Sequence, residues 1–310
     1  MGWERKPKIV LMSDVGSWAW YKKSLEIKKH LADEFDIDIY NVLENRTQGG
    51  INVNNYDLYF TYGWSYIGSI RAVPIERRIS GVTAHKDGVF FNNTIVPQMK
   101  QVMWYHANSI LLKNELEKAV GKVFYVPNGV DETMFYERKP ISLERDNLVV
   151  LHVGKKCGHG TDAKGHTRFI EPACAKAGVK YIGHYNNYKT ALPTEKMAEL
   201  YQKADVCIIA SQTDGTPNMG LEGAASGRPI ISNRIGNMPE FIKDDYNGFL
   251  VERDVDKYVE KLLYLKNNRD KLIEMGKNAR KTVEEGWTWK IQAENYRKMF
   301  QTILLEVGLR

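Results

Sequence analysis

The 310-residue chain is poor in cysteine, in long apolar runs and in anything like a secretion signal, and each shortage excludes a class of protein. Its three cysteines, Cys157, Cys174 and Cys207, are odd in number and widely spaced, so neither a disulfide framework nor a zinc knuckle is expected. No stretch is long and apolar enough to span a bilayer. The opening MGWERKPK runs straight into an apolar strand pattern without a signal-peptide core, which makes the cytoplasm the expected location. His152, His159, His166 and His184 lack the spacing of metal ligands, and the HGTDAKGH run is expected to be an ordinary loop.

What is present is an alternation of strand and helix signals. A hydrophobic content of 43% is normal for a globular protein, and the length exceeds the usual size of one core, so two domains are expected. Residues 9–13 (IVLMS), 56–61 (YDLYFT) and 81–84 have the apolar character of buried strands, with amphipathic segments between them. The second half repeats the pattern from Leu148 to about Glu285, which predicts an α/β fold of parallel sheets of Rossmann type. Pro127, Pro140 and charged residues interrupt the periodicity, so the boundary is placed between Asn128 and Asp146, and the division is drawn at 135/136. The expected division is 1–135, 136–286 and a last helical segment, 287–310, in which Trp287 and Trp289 pack in a core.

The most informative stretch is residues 211–251, SQTDGTPNMGLEGAASGRPIISNRIGNMPEFIKDDYNGFLV. An apolar run over 206–210, containing Cys207, is expected to be a buried strand, followed by a loop with Asp214 and Gly215. A short helix is predicted over 217–226, with Thr216 as N-cap, Pro217 in the first position and Gly227 before Arg228-Pro229 as the stop. The free N–H groups at its start suit an anion such as a diphosphate. Asp214 on the loop and Glu222 about two turns along add hydroxyl recognition beside that anion. A nucleotide sugar presents this combination.

The same stretch resembles the donor-binding motif of retaining glycosyltransferases of family four, also described as glycosyl transferases group 1. Their hallmark is two acids separated by seven residues, and Asp214 and Glu222 keep the spacing, with Asp where the family usually has Glu. IGNMPEFIKDDYNGFLV is similar to the family's GGxPEhhxDxxxGhLV continuation, and residues 124–135, FYVPNGVDETMF, resemble its interdomain hinge. VVLHVG runs into Lys155, with Lys164-Gly165 beyond, where the family has two basic side chains that hold the donor diphosphate. The loop between them is longer than usual, so Lys156 is an alternative to Lys155. GWTWKIQAENYRKMF resembles the final helix of the family.

The resemblance implies a GT-B fold: two Rossmann-like domains with a cleft between them and a C-terminal helix crossing back onto the first. It implies transfer of a hexosyl or related sugar from a nucleoside-diphosphate sugar to a hydroxyl acceptor, with retention, no cofactor and no required metal. Donor binding then falls to Gly16, Lys155, Lys164, Asp214, Gly215, Thr216, Pro217, Asn218, Met219, Gly220 and Glu222. Asp214 is assigned the sugar hydroxyls and Glu222 the ribose. His85, at the end of an N-terminal strand, resembles the family histidine that contacts the transferred sugar, and joins Lys155, Lys164 and Asp214 as catalytic candidates. Asp36-Ile-Asp38 and Asp254-Val-Asp256 mimic the DxD motif of metal-dependent transferases but fall outside this site, and are expected to be surface acids.

The acceptor is less defined. A net charge of +6 points to an acidic partner: a phosphorylated glycan, an anionic membrane surface or nucleic acid. Trp18, Trp20, Lys22 and Lys86 are the acceptor candidates, set among Lys23, Arg71, Arg77 and Arg78. The competing expectation is that the lysines of the first helix form its solvated face while the tryptophans pack. Three functional readings stay open: transfer to a glycan, lipid-linked sugar or small molecule; glycosylation of modified DNA bases, as by some bacteriophage enzymes; and a non-catalytic sugar-nucleotide binding protein. The sequence leaves the sugar, the nucleotide and the oligomeric state undetermined.

Overall fold

A computed structural model describes residues 3–16, 18–45, 54–141, 147–155, 162–186 and 192–309. The chain divides into two compact units, Met1–Asn128 with Trp289–Arg310, and Gly129–Thr288. The sequence boundary at 135/136 differs from this division by a few residues, for a local reason. Val130 donates its N–H to the Trp287 carbonyl at 2.9 Å and Phe135 is buried in the second unit's core, so 129–135 belong with that unit.

The first unit is built on six parallel strands in the order β2-β1-β3-β4-β5-β6: β1 Lys8–Ser13, β2 Asp36–Asn41, β3 Leu58–Thr61, β4 Arg78–Val82, β5 Trp104–Ala107 and β6 Val123–Tyr125. The strand expected over 81–84 is thus Arg78–Val82, earlier in the chain because Ile79 and Ser80 already pair with β5. β1 shows why its run is uninterrupted. Ile9 and Leu11 pack on one face with Ile27, Leu31 and Phe300, while Val10 and Met12 pack on the other with Ile67, Met99 and Leu112. A strand covered on both faces has no position left for a polar side chain.

Two helices cover the first of these faces, Ala19–Leu31 and Trp289–Glu306. Arg297 of the latter binds Glu34 at 2.8 Å and Asp33 at 3.1 Å, and the Tyr296 hydroxyl donates to the Val126 carbonyl at 2.9 Å. Between them lies Lys23, only 5% exposed. This corrects the expectation of a solvated lysine face: Lys22 is exposed, but Lys23 points inward, its ammonium 5.1 Å from the Tyr62 ring centroid and 5.2 Å from that of Tyr296.

The second unit has five parallel strands in the order β11-β10-β9-β7-β8: β7 Val149–Lys155, β8 Lys180–Asn186, β9 Val206–Ile209, β10 Ile230–Asn233 and β11 Gly248–Val251. Leu151, Cys207 and Ile209 face one side of the sheet, and Val150, Val206 and Ile208 the other. Both described cysteines, Cys174 and Cys207, are buried in these cores, and burial pushes each thiol up to about 12. They pack as small hydrophobes. Cys157 and His159 lie outside the described residues.

Asp254, expected to be a simple surface acid, caps the Val255–Asn267 helix: its Oδ1 accepts from the N–H groups of Asp256 at 2.9 Å and Lys257 at 3.2 Å. Asp254→Ala is expected to destabilise the unit by about 1 kcal/mol and Asp254→Ser to recover most of it, read from the urea midpoint. Asp256 pairs with Lys176 at 2.5 Å, and Asp38 accepts from the Tyr56 hydroxyl at 3.0 Å.

Candidate functional site

The carboxyl ends of β7 and β9 carry two loops that close on each other. After β9, residues 210–217 lead to the helix Asn218–Ala225, and after β7, the described chain resumes at Asp162. The Gln212 N–H donates to the Ala163 carbonyl at 2.7 Å, tying one loop to the other. Gly165 sits at φ +75° against Ala210, where a Cβ would collide with the Ala210 carbonyl. The left-handed conformation and the close approach both require glycine there. Arg253 braces the same junction, donating to the Ala210 carbonyl at 2.7 Å and the Asp162 carbonyl at 3.3 Å, with its guanidinium 4.3 Å from the Phe169 ring centroid.

This closure brings Lys164 onto Asp214. The Lys164 Nζ donates to Asp214 Oδ2 at 2.5 Å and to the Thr213 carbonyl at 3.3 Å, and the two side chains are 21% and 18% exposed. The pair is largely shielded from solvent but not sealed from it. Asp214 is also fixed through its neighbour: the Asn237 N–H donates to the Gly215 carbonyl at 3.0 Å.

The helix after this loop starts one residue later than predicted and ends one earlier. Pro217, not Thr216, holds the capping position, with no side-chain cap; its carbonyl accepts from Gly220 N–H at 2.8 Å, while Thr216 is buried. Gly227 at φ +74° ends the helix as expected. The small residues of this helix have a packing cause: a Cβ on Gly223 would lie 2.6 Å from the Cys207 sulfur, and one on Gly220 2.9 Å from that of Met238. Met219 is also turned into the core, where its sulfur accepts the Val153 N–H at 3.4 Å. Of the residues at the helix start assigned to the donor, Asn218 is the exposed one. Gly215, Thr216, Pro217, Met219 and Gly220 are buried.

Glu222 is partly exposed, and its Oε2 accepts from the Tyr201 hydroxyl at 2.6 Å. Tyr201 ends the helix Thr194–Tyr201 and is fully buried; burial, reinforced by the charge of Glu222, holds its phenol well above the usual range. Sequence reasoning missed this contact, and only the three-dimensional packing of two helices reveals it. It also missed the histidine pair beside the loop. His152 donates from Nδ1 to the Ile208 carbonyl at 2.7 Å, and His166 meets its ring edge-on, centroids 4.4 Å apart. Burial, with His166 adding to it, pushes His152 down to about 3, so the ring is neutral. Lys155 is exposed at the end of β7. Lys156 lies outside the described residues.

The remaining candidates belong to the first unit. Gly16 follows β1, and its N–H donates to Glu44 Oε1 at 2.7 Å; Asn41 links the same glutamate to Ser13. His85 follows β4, with Nδ1 3.9 Å from Glu115 Oε2. Both stand beyond the carboxyl ends of parallel strands of one sheet. Trp20, an acceptor candidate, is partly buried, stacks on Tyr62 with centroids 5.7 Å apart and meets Tyr66 edge-on. Trp18 is partly buried just before the helix, Lys22 is exposed, and Lys86 lies 5.9 Å from the Phe90 ring centroid. Among the described residues no group of three or more His, Cys, Asp or Glu is placed to hold a metal ion, and no helix is long and apolar enough to cross a membrane.

Residues 127–268 match the family of glycosyl transferases group 1. An uncharacterized glycosyltransferase of Methanocaldococcus jannaschii is 27% identical over 110 residues, covering 35% of this chain and 31% of that protein. The chain spans between 20% and 41% of the length of this and three similar curated relatives. Among solved structures, sucrose-phosphate synthase of Thermosynechococcus elongatus superposes with a TM-score of 0.72 at 15% identity, over 97% of this chain and 100% of the other. HepE of Anabaena in complex with UDP-glucose gives 0.69 at 14% identity, over 96% and 100%. At these identities the likeness is one of fold, and the fold is GT-B.

Proposed function

We propose that this chain, whose residues 127–268 match the glycosyl transferases group 1 family, moves a sugar from a nucleoside-diphosphate sugar to a hydroxyl acceptor, with retention and without a metal or cofactor. The observation that carries the reading is the pairing of Lys164 with Asp214 on the loops just ahead of the Asn218–Ala225 helix, at the carboxyl ends of parallel strands, with the partly exposed Glu222 further along that helix. A structural neighbour that holds UDP-glucose supports the choice of donor class.

Departure of the diphosphate concentrates negative charge on its oxygens. Lys155, Lys164 and the N–H groups of the helix start stabilise that charge more as it grows, which lowers the barrier rather than only tightening binding. Lys164 holds Asp214, and an arriving diphosphate takes the ammonium while Asp214 turns to the sugar hydroxyls. Glu222 accepts from the ribose. In the first unit, His85 is assigned to the transferred sugar and Gly16 to the loop beside the donor. The positive net charge favours an acidic acceptor, such as a phosphorylated glycan.

Calorimetric titration with a panel of nucleotide sugars, in EDTA, tests the reading. One donor is expected to bind, with Glu222→Ala weakening it about 10- to 100-fold, the loss of a hydrogen bond to a charged group. Silence across the panel, or binding indifferent to both Glu222→Ala and Asp214→Ala, rejects it.

A further inference from the structure

We infer that Tyr201 is a positioning residue for nucleotide recognition, its buried hydroxyl holding the Glu222 carboxylate in the orientation that accepts from the ribose. The inference rests on the reading of Glu222 as the ribose-binding acid, and adds a residue that touches no substrate.

A glutamate on a helix has three rotatable bonds, so a carboxylate that must meet two hydroxyls gains from being ordered before the ligand arrives. The Tyr201 hydroxyl supplies that order. It donates to Oε2 at 2.6 Å, the short distance of an O–H bond to a charged acceptor. The phenol itself has nowhere to turn: it is fully buried, Phe135 meets its ring edge-on with centroids 5.8 Å apart, and its own carbonyl accepts from the buried Arg228 at 3.2 Å. Arg228 is fixed in turn by the Lys139 carbonyl at 2.7 Å. One end of the hydrogen bond is therefore rigid, while the other, Glu222, is partly exposed. A carboxylate has about four acceptor sites on its two oxygens, so the bond to Tyr201 leaves capacity for a ligand.

The test compares UDP, GDP and ADP with their 2′,3′-dideoxy counterparts by calorimetry, on the wild-type chain and on Tyr201→Phe. Wild type is expected to prefer a ribonucleotide, and Tyr201→Phe to lose about tenfold of that preference while binding the dideoxy form as before. A purely structural role would weaken both forms equally, leaving the preference intact; that result overturns the inference and spares the reading of Glu222. A wild-type protein that shows no preference, or binds none of the six, overturns both. Should Tyr201→Phe fail to fold, the Cζ resonance of Tyr201 in [13C]tyrosine-labelled wild type answers instead. Movement with the ribonucleotide and none with the dideoxy form supports the inference, and indifference to both overturns it.

Discussion

Replacing Lys23 with methionine is expected to stabilise the first unit by about 4 kcal/mol below pH 7, an effect that vanishes above pH 10.5. The cause is burial. Lys23 sits between two tyrosine rings with no carboxylate partner among the described residues, and desolvation lowers its amine from 10.5 to about 7. The unfolded chain keeps the amine protonated up to its ordinary value, so unfolding takes up a proton between pH 7 and 10.5. Wild-type stability must therefore rise with pH through that window, and the penalty is complete below it. Neighbouring groups do not confuse the reading: burial pushes His106 down to about 3, and raises Tyr62 and Tyr296 far enough to keep both neutral. Two attractions to ring faces partly offset the cost. Urea denaturation of both proteins at pH 6 and pH 10 decides the matter, and equal differences at the two pH values would overturn it.

Lys164→Ala is expected to lower kcat by about 10²- to 10³-fold with a smaller change in KM. An ammonium about 4 Å from a unit charge contributes about 4 kcal/mol at an effective dielectric constant of 20, and the part that matters is the increase as the diphosphate leaves. The side chain is only 21% exposed, so water replaces it poorly. The pairing with Asp214 sharpens the test. Removing Lys164 also frees Asp214 and leaves its charge beside the incoming diphosphate, so Lys164→Ala/Asp214→Asn is expected to bind donor better than Lys164→Ala alone while remaining slow. Single-turnover rates for wild type and the two variants separate binding from chemistry. A Lys164→Ala protein with near-normal kcat removes this residue from the mechanism.

Much of the fold was legible because it rests on local signals. IVLMS is apolar at every position but its last, and only a strand covered on both faces tolerates that; Gly227 stops its helix through a positive φ that few other residues accept. Spacing and family resemblance singled out Asp214 and Glu222, and the Lys-Gly pair of the same resemblance singled out Lys164; the structure adds that Lys164 and Asp214 pair. What stayed hidden depends on partners distant in sequence. Nothing within the first helix distinguishes Lys22 from Lys23, because Tyr62 and Tyr296 decide which turns inward. The contacts of Trp20 with Tyr62 and Tyr66 are likewise invisible in the helix's own pattern. The bond from Tyr201 to Glu222 joins two helices, and neither helix's own pattern points to the other.

The first unit is written in two pieces, and this orders its birth. Phe60, Tyr62 and the inward face of Ala19–Leu31 await Tyr296, Met299 and Phe300, which the ribosome delivers only after all of Gly129–Thr288. The second unit is contiguous and can close on itself as it emerges. During synthesis the earlier half of the chain therefore stays an unfinished core with an open greasy face, dependent on chaperones or speed. A nonsense codon anywhere before Trp289 leaves it in that state permanently, so late truncations should surface as insoluble rather than as soluble protein.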